Sequence, residues 1–323
     1  MELDSVSLGP TGLEVSEIVF GTWRFGKETD NGDLETDREQ AHRLLDAYAE
    51  AGGNFIDTAN VYGGGTSERY IGEWLQDRDR DDFVIASKIY WSTKDDDPNA
   101  QGLNRRHLRR QIDLILDRLD TNYLDVLYTH RWDDTTPAEE FMRTLNGFVE
   151  DGRVNYLATS TFEPNAWKIA KANEIADRRG YEPFKLSQPR YNLANREIEG
   201  NYLDMCRDYD IGVVPWSPLG GGFLTGKYER NADPPAGSRG AKSERFRDRY
   251  LTDENFDLLD EIRAVADEVD ATPAAVSLAW LMHHEQVTAP IIGARTVDQL
   301  NENLAASNVE LTDDQFERLA DAK

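Results

Sequence analysis

The strongest constraint on this chain is an alternation that runs almost its whole length. Ile18-Val19-Phe20 reads as a short buried strand, and residues 38–51 carry Ala41, Leu44, Leu45, Tyr48 and Ala49 at helical spacing before Gly52-Gly53 stops them. The unit then repeats: strand 54–57 with helix 67–76, strand 83–88 with helix 104–119, strand 124–129 with helix 137–150, and strand 154–159 with helix 164–179. Strand 184–188 with helix 197–209 follows, then strand 211–216 with helices near 254–269 and 273–284, and strand 288–292 with helix 296–306. Strict alternation predicts a parallel sheet covered by helices, and short, uniformly apolar strands suit a sheet buried on both faces. Eight such units predict closure into an α/β (β/α)8 TIM barrel, a fold that accommodates a chain of 323 residues. Val6-Ser7-Leu8 and Leu13-Glu14-Val15 flank Gly9-Pro10-Thr11-Gly12, so an N-terminal β-hairpin is expected ahead of it. No low-complexity linker divides residues 1–323, and one domain is expected. The long loops 90–103 and 218–252 both follow strands, which places them at the C-terminal face, where barrels build their sites.

Composition narrows what such a barrel works on. With 61 acidic against 36 basic residues the net charge is −25, which repels nucleic acid. The acids are spread along the chain, with clusters at Asp77 to Asp82 and at Asp95-Asp96-Asp97, and arginine carries most of the positive charge. Such a surface suits a very salty cytoplasm: at about 1 M salt the Debye length is about 3 Å and self-repulsion is screened, whereas dilute buffer leaves it in force. A halophilic protein is therefore expected. No stretch approaches the roughly 20 apolar residues of a membrane span, and Met1-Glu2-Leu3-Asp4 lacks the basic start of a secretory signal. The single cysteine, Cys206, excludes a disulfide framework and a cysteine zinc site. A cytoplasmic location follows as an expectation, without membrane or nucleic-acid partners.

Four residues at the ends of successive strands form a proton-handling set: Asp57 in Phe-Ile-Asp-Thr-Ala, Tyr62 in Val-Tyr-Gly, Lys88 in Ala-Ser-Lys and His130 in Leu-Tyr-Thr-His. Singly, each has a bland reading: a turn cap, a loop anchor, a surface lysine, a packed core histidine. Together they suit protonation of a carbonyl oxygen under hydride attack. A phenol with an ordinary pKa near 10 needs a neighbouring ammonium to lower it, and a buried lysine needs a carboxylate to stay charged. A neutral imidazole can donate a hydrogen bond to the substrate oxygen. The expected assignments are Tyr62 as general acid, Lys88 as its tuning cation, Asp57 as the counter-ion and His130 as the orienting donor.

The motifs around these residues resemble the aldo-keto reductases. Leu8 to Ser16 is similar to that family's opening hairpin, and Phe55-Ile56-Asp57-Thr58-Ala59, Tyr62-Gly63 and Ser67-Glu68 are similar to its first signature. Asp125 to Asp133, Gly152-Arg153-Val154, Gln188-Pro189-Arg190-Tyr191-Asn192, Trp216-Ser217-Pro218-Leu219 and Leu224-Thr225-Gly226-Lys227 extend the match. The His130-Arg131-Trp132-Asp133 and Pro215-Trp216-Ser217-Pro218 versions look most like microbial, aryl-alcohol dehydrogenase-like members. The resemblance implies the tetrad Asp57, Tyr62, Lys88 and His130, agreeing with the chemical argument. It implies cofactor contacts from Thr22 and Trp23, from Ser160 and Gln188 to the carboxamide, and from Trp216 to the nicotinamide ring. Ser217, Leu219, Gly221 and Lys227 would follow along the pyrophosphate, and Gly293, Arg295, Thr296, Gln299, Glu302 and Asn303 would take the adenosine end.

Two departures stand out. Thr161 follows Ser160 where the family usually has asparagine, and Gln299 stands where many members have an arginine. Arg295 is then the residue to take an extra phosphate, which favours NADPH over NADH. Gly220-Gly221-Gly222 lacks the spacing of a dinucleotide fingerprint, and the adjacent His283-His284 lack metal-ligand spacing, so no metal is expected.

Trp23, Tyr90, Trp91 and Trp132 follow strands one, three and four and would line the substrate mouth, favouring an aromatic or apolar carbonyl compound, whereas Arg24 and Arg131 suit a sugar or carboxylate. The expected function is NADPH-dependent, reversible reduction of an aldehyde or ketone to the alcohol. The alternative is a cofactor-binding regulatory or channel-associated subunit with little turnover; a barrel hydrolase is a weaker third, since neither metal ligands nor paired carboxylates are convincingly placed.

The charge balance makes a direct prediction. The melting temperature should rise as KCl is raised from dilute buffer into the molar range, and scanning calorimetry showing no gain would remove the halophile reading.

Overall fold

The computed structural model describes residues 2–29, 32–94 and 96–323; Met1 and Asp95, which figure in the sequence reading, lie outside the described residues. Strands β1 (Ser5–Ser7) and β2 (Glu14–Ser16) pair antiparallel with Val6 opposite Val15. Gly9, at φ +50°, lets the hairpin press against the barrel: a Cβ there would lie 3.0 Å from the Gly212 backbone.

The barrel strands are β3 (Val19–Gly21), β4 (Phe55–Asp57), β5 (Val84–Ile89), β6 (Leu124–Thr129), β7 (Val154–Ser160), β8 (Phe184–Gln188), β9 (Gly212–Val213) and β10 (Ile291–Ile292). They run parallel in the order β10-β3-β4-β5-β6-β7-β8-β9. The last seam closes through a parallel bridge from Val213 to Val287, with Thr288 N–H donating to Val213 O at 2.7 Å and Ile291 N–H to Pro215 O at 2.9 Å. The result is the expected (β/α)8 barrel with its hairpin.

Strand periodicity divides the apolar residues into two cores. Val19, Phe55, Val84, Ala86, Val126, Tyr128, Ala158, Leu186, Val214 and Ile291 point inward and meet Leu8 and Val15 of the hairpin. Phe20, Ile56, Ile85, Leu127, Leu157, Val213 and Ile292 point outward and pack against the helices. Those helices are α1 (Arg38–Glu50), α2 (Thr66–Leu75), α3 (Arg105–Leu119), α4 (Ala138–Glu150), α5 (Ala166–Arg179), α6 (Asn201–Asp208), α7 (Arg239–Lys242), α8 (Glu244–Tyr250), α9 (Asp253–Glu268), α10 (Pro273–His283), α11 (Val297–Leu304) and α12 (Asp313–Asp321). Asp37, Asn104, Thr252, Thr272 and Thr296 cap the starts of α1, α3, α9, α10 and α11 by accepting from backbone N–H groups.

The structure corrects the sequence reading of five elements. The strands expected at 211–216 and 288–292 contract to two residues each, because Pro215 and Pro290 bring no N–H to a ladder. Helix α6 begins at Asn201 rather than 197, after Gly200 at φ +76°. Loop 218–252 contains α7 and α8, and α12 lies beyond the last expected helix, although Thr312 and Gln315 form its capping box. Among the described residues no helix is long and apolar enough to cross a membrane.

Tyr48 of α1 ties the barrel floor together. Its fully buried hydroxyl lies 2.7 Å from Ser16 Oγ, 2.7 Å from Ile18 O and 3.0 Å from Phe55 O, so one phenol joins the hairpin, β3 and β4. Tyr48→Phe leaves these buried acceptors short of a donor and should cost about 1–3 kcal/mol. Chemical denaturation should show the loss, with turnover at the opposite face unaffected; unchanged stability would mean that the groups re-pair.

Candidate active site

Asp57 closes β4, Lys88 lies in β5, and His130 follows β6, so parallel register brings all three to the same rim. Lys88 is completely buried. Its Nζ donates to Asp57 Oδ2 at 2.5 Å, to Thr58 O at 2.9 Å and to the Tyr62 hydroxyl at 3.2 Å, which uses all three ammonium protons. The second Asp57 oxygen accepts from Gln188 Nε2 at 2.9 Å. Tyr62 starts a single turn through Gly63-Gly64-Gly65, where a Cβ at Gly63 would lie 2.5 Å from Phe25 O. The Tyr62 ring meets His130 edge-on, with centroids 6.0 Å apart.

Electrostatics sort these groups. Burial pulls the Lys88 pKa down, but Asp57 and Tyr62 outweigh it and the net direction is up, so the amine stays an ammonium. Burial, with the positive charge of Lys88, pushes His130 down to about 3, and the imidazole is neutral at working pH. For Tyr62 the sequence expectation is reversed: burial raises its pKa, Asp57 adds to the rise, and Lys88 opposes without overcoming it. The phenol therefore holds its proton at neutral pH.

A cleft of about 1280 Å3 opens above these residues. Of the residues singled out in the sequence, Asp57, Tyr62, His130, Trp23, Trp91, Ser160, Gln188, Trp216, Ser217, Leu219, Gly221, Lys227, Gly293, Arg295, Gln299, Glu302 and Asn303 line it. Lys88 sits just beneath. Thr22 also lies below the floor, its hydroxyl donating to Asp57 O at 2.9 Å, and the Thr296 side chain is spent capping α11. Trp132 is buried edge-on against Phe141 and Phe162, and Tyr90 is half-buried against the outer core, so neither forms the cleft wall. His283, at the end of α10, and Cys206, buried in α6, are elsewhere; among the described residues no group of three metal-ligating side chains is assembled.

The aldo/keto reductase family model matches residues 17–323. The chain belongs to that family. A norsolorinic acid reductase of Emericella nidulans is 34% identical over 316 residues, covering 96% of this chain and 79% of the relative. A probable voltage-gated potassium channel subunit beta of Oryza sativa subsp. japonica is 35% identical over 309 residues, covering 94% and 90%. An aryl-alcohol dehydrogenase of Pestalotiopsis microspora is 33% identical over 312 residues, covering 95% and 78%. Membership makes the chain an NAD(P)-dependent oxidoreductase.

The cleft of this aldo/keto reductase fits an anionic dinucleotide on its own evidence. Arg24, Lys227, Arg239 and Arg295 line one end. Burial and then the other arginines push the Lys227 pKa down, and Arg24 is lowered by burial and Arg295 despite its pairing with Glu35. Among the described residues no carboxylate lies within salt-bridge reach of Lys227, Arg239 or Arg295. Four cations held against one another in a chain of charge −25 call for an anion between them. Glycines lie close beside two of them: a Cβ at Gly221 would lie 2.8 Å from Arg239 Nη1, and one at Gly222 2.8 Å from Lys227 Nζ. The Trp216 indole N–H is buried without a partner.

Thr161 takes φ +55°, a left-handed conformation that suits asparagine and strains a β-branched residue. Its N–H donates to Gln188 O at 3.2 Å, and its hydroxyl lies 3.2 Å from Ser160 Oγ. Sequence reading overlooks Arg239, hidden in the long 218–252 loop, and Asn60, three residues past Asp57. Asn60 is fully buried and donates to Trp91 O at 3.1 Å and to Gln111 Oε1 at 3.0 Å.

Two buried imidazoles set a pH dependence. Burial lowers His107 of α3 to about 4 and His130 to about 3. The unfolded chain takes up these protons near pH 6.5, the folded chain only lower, so stability is lost as pH falls below about 6.5. Melting temperatures should decline between pH 7 and 5, above the ordinary carboxylate range, and His107→Gln should flatten the slope; a flat wild-type profile would contradict neutral burial.

Proposed function

We propose that the chain catalyses NADPH-dependent, reversible reduction of a small aldehyde or ketone to its alcohol. The observation that carries this reading is the Tyr62 hydroxyl, 3.2 Å from an ammonium that is wholly buried and paired with Asp57, at the edge of the cleft floor. A nicotinamide held in the cleft would supply the hydride. Tyr62 gives its proton to the carbonyl oxygen, and the Lys88 ammonium stabilises the phenolate that remains. Asp57 keeps Lys88 charged, and Gln188 satisfies the other Asp57 oxygen. His130, neutral, donates to and orients the carbonyl oxygen. In the oxidative direction Tyr62 must first lose its proton, so the alcohol-oxidising rate should climb with pH while reduction proceeds at neutrality.

Ser160, Gln188 and Trp216 would hold the nicotinamide end, the Ser217–Lys227 segment the pyrophosphate, and Gly293 with Arg295, Gln299, Glu302 and Asn303 the adenosine end. The cation group with Arg295 favours NADPH over NADH, since an extra phosphate brings further negative oxygens to charges that lack partners. Trp23 and Trp91, 44% and 40% exposed, favour an aromatic or apolar substrate. A cytoplasmic, single-domain protein of a halophile suits the charge pattern. The 35% identity to a potassium channel subunit supports a second reading, a cofactor-binding subunit with little turnover. NADPH binding without turnover over a broad carbonyl panel would select it.

Tyr62→Phe should lower kcat by about 100- to 10,000-fold, the range of a general acid, and leave NADPH affinity unchanged by fluorescence titration. Unimpaired turnover by the Tyr62→Phe variant would rule out the assigned proton donor.

A further inference from the structure

We propose that Trp91 and Arg131 form a substrate subsite selecting planar aromatic carbonyl compounds that carry an acidic substituent. The inference rests on the carbonyl-reductase reading and names the substrate class of that same cleft.

The first observation is that Trp91 is exposed by construction. Its indole is 40% exposed and lines the cleft, while its backbone is fixed from below. Asn60, wholly buried, donates to Trp91 O, and Gln111 of α3 accepts from the same amide. The stem of the 90–103 loop is closed by Gly102 N–H donating to Tyr90 O at 2.8 Å and by Leu103 N–H donating to Asp133 Oδ2 at 2.8 Å. The Tyr90 ring supports the indole edge-on, centroids 4.9 Å apart. Buried polar groups are committed to presenting one flat aromatic face, which suits a flat ring as its partner.

The second observation is the charge beside it. The Arg131 guanidinium lies 5.8 Å from the Trp91 ring centroid, and among the described residues no carboxylate is within salt-bridge reach of it. Arg131 is exposed and follows His130 directly in the chain, so the two Cα atoms are about 3.8 Å apart. It does not belong to the cofactor cradle: Arg24, Lys227, Arg239 and Arg295 come from segments after β3, β9 and β10, whereas Arg131 follows β6, four strands from β10 around the barrel. One end of the cleft thus gathers four cations, and a separate cation stands beside the Trp91 ring that lines the cleft elsewhere. An aromatic ring on Trp91 would direct its carbonyl toward Tyr62 and His130 and its anionic substituent to the planar guanidinium.

The test compares 4-carboxybenzaldehyde with 4-carbamoylbenzaldehyde, its uncharged near-isostere, and with benzaldehyde, at the lowest KCl concentration that holds the fold. The wild-type protein should favour the carboxylate over the amide by about tenfold in kcat/KM, the size of one charge-assisted hydrogen bond at a partly exposed site. Arg131→Gln should bring that ratio to about one, Arg131→Lys should retain part of it, and Trp91→Leu should raise KM for all three aldehydes. NADPH affinity by fluorescence titration confirms that each variant is folded. A wild-type ratio near one, or a ratio that survives in Arg131→Gln, overturns the subsite and leaves the reductase reading standing. No turnover of any of the three by the folded wild-type protein overturns the subsite, and failure to turn over a broad carbonyl panel as well overturns the reductase reading.

Discussion

The site depends on one ion pair. Lys88 and Asp57 are both buried, and their contact at 2.5 Å is made at the rim of a barrel whose interior is filled by an apolar layer. Removing two charges from water costs several kcal/mol per ion, and the pair is held only because the remaining hydrogen-bonding capacity is filled. Thr58 O and the Tyr62 hydroxyl fill it on the lysine side, and Gln188 fills it on the aspartate side. These partners come from the segment that follows β4 and from the end of β8. The charge pair is therefore a product of closure: an open sheet would not bring Gln188 to Asp57. Its stability is drawn from the two apolar layers around it, and its use is to keep a positive charge next to a phenol.

The same logic operates in reverse at the end of the cleft proposed for the cofactor. The chain is strongly acidic, yet it places four cations together, where burial and the neighbouring arginines lower the basicity of Lys227 and Arg24. Glu35 offsets Arg24 and Lys27, leaving the others to an incoming anion. Trp23 lies between these cations, with Lys27 Nζ 3.8 Å and the Arg239 guanidinium 5.5 Å from its ring centroid, so the segment after β3 and helix α7 face each other across it. Such a group of cations on a negative molecule would attract an anionic cofactor to that end of the cleft.

Much of this is legible in the sequence because it follows from period. Eight apolar runs separated by helical patterns define the barrel, and the strand ends then place Asp57, Lys88 and His130 on one rim. Legibility fails where an element's identity depends on its partners. Pro215 and Pro290 shorten β9 and β10, and the seam closes through single bridges that no pattern announces. Trp132 and Tyr90 have the composition of a substrate wall, but pleat and loop path turn Trp132 into the outer core, leaving Trp91 in the cleft. Arg239 and Asn60 carry no local signature; only the folded chain shows what they meet. The Tyr62 phenol is the most instructive difference, since adjacency to an ammonium argues for a lowered pKa and the competing effect, burial, exceeds it.

The ionisation state of Lys88 tests the central claim most directly. Nitrogen-15 NMR of lysine side-chain Nζ groups, assigned by a Lys88→Met variant, follows that amine through a pH titration of the folded protein. Lys88 should remain an ammonium past the ordinary lysine value of about 10.4, and Asp57→Asn should bring its titration down. A Lys88 that is already neutral near pH 7 would contradict the buried pair and the tuned phenol built on it.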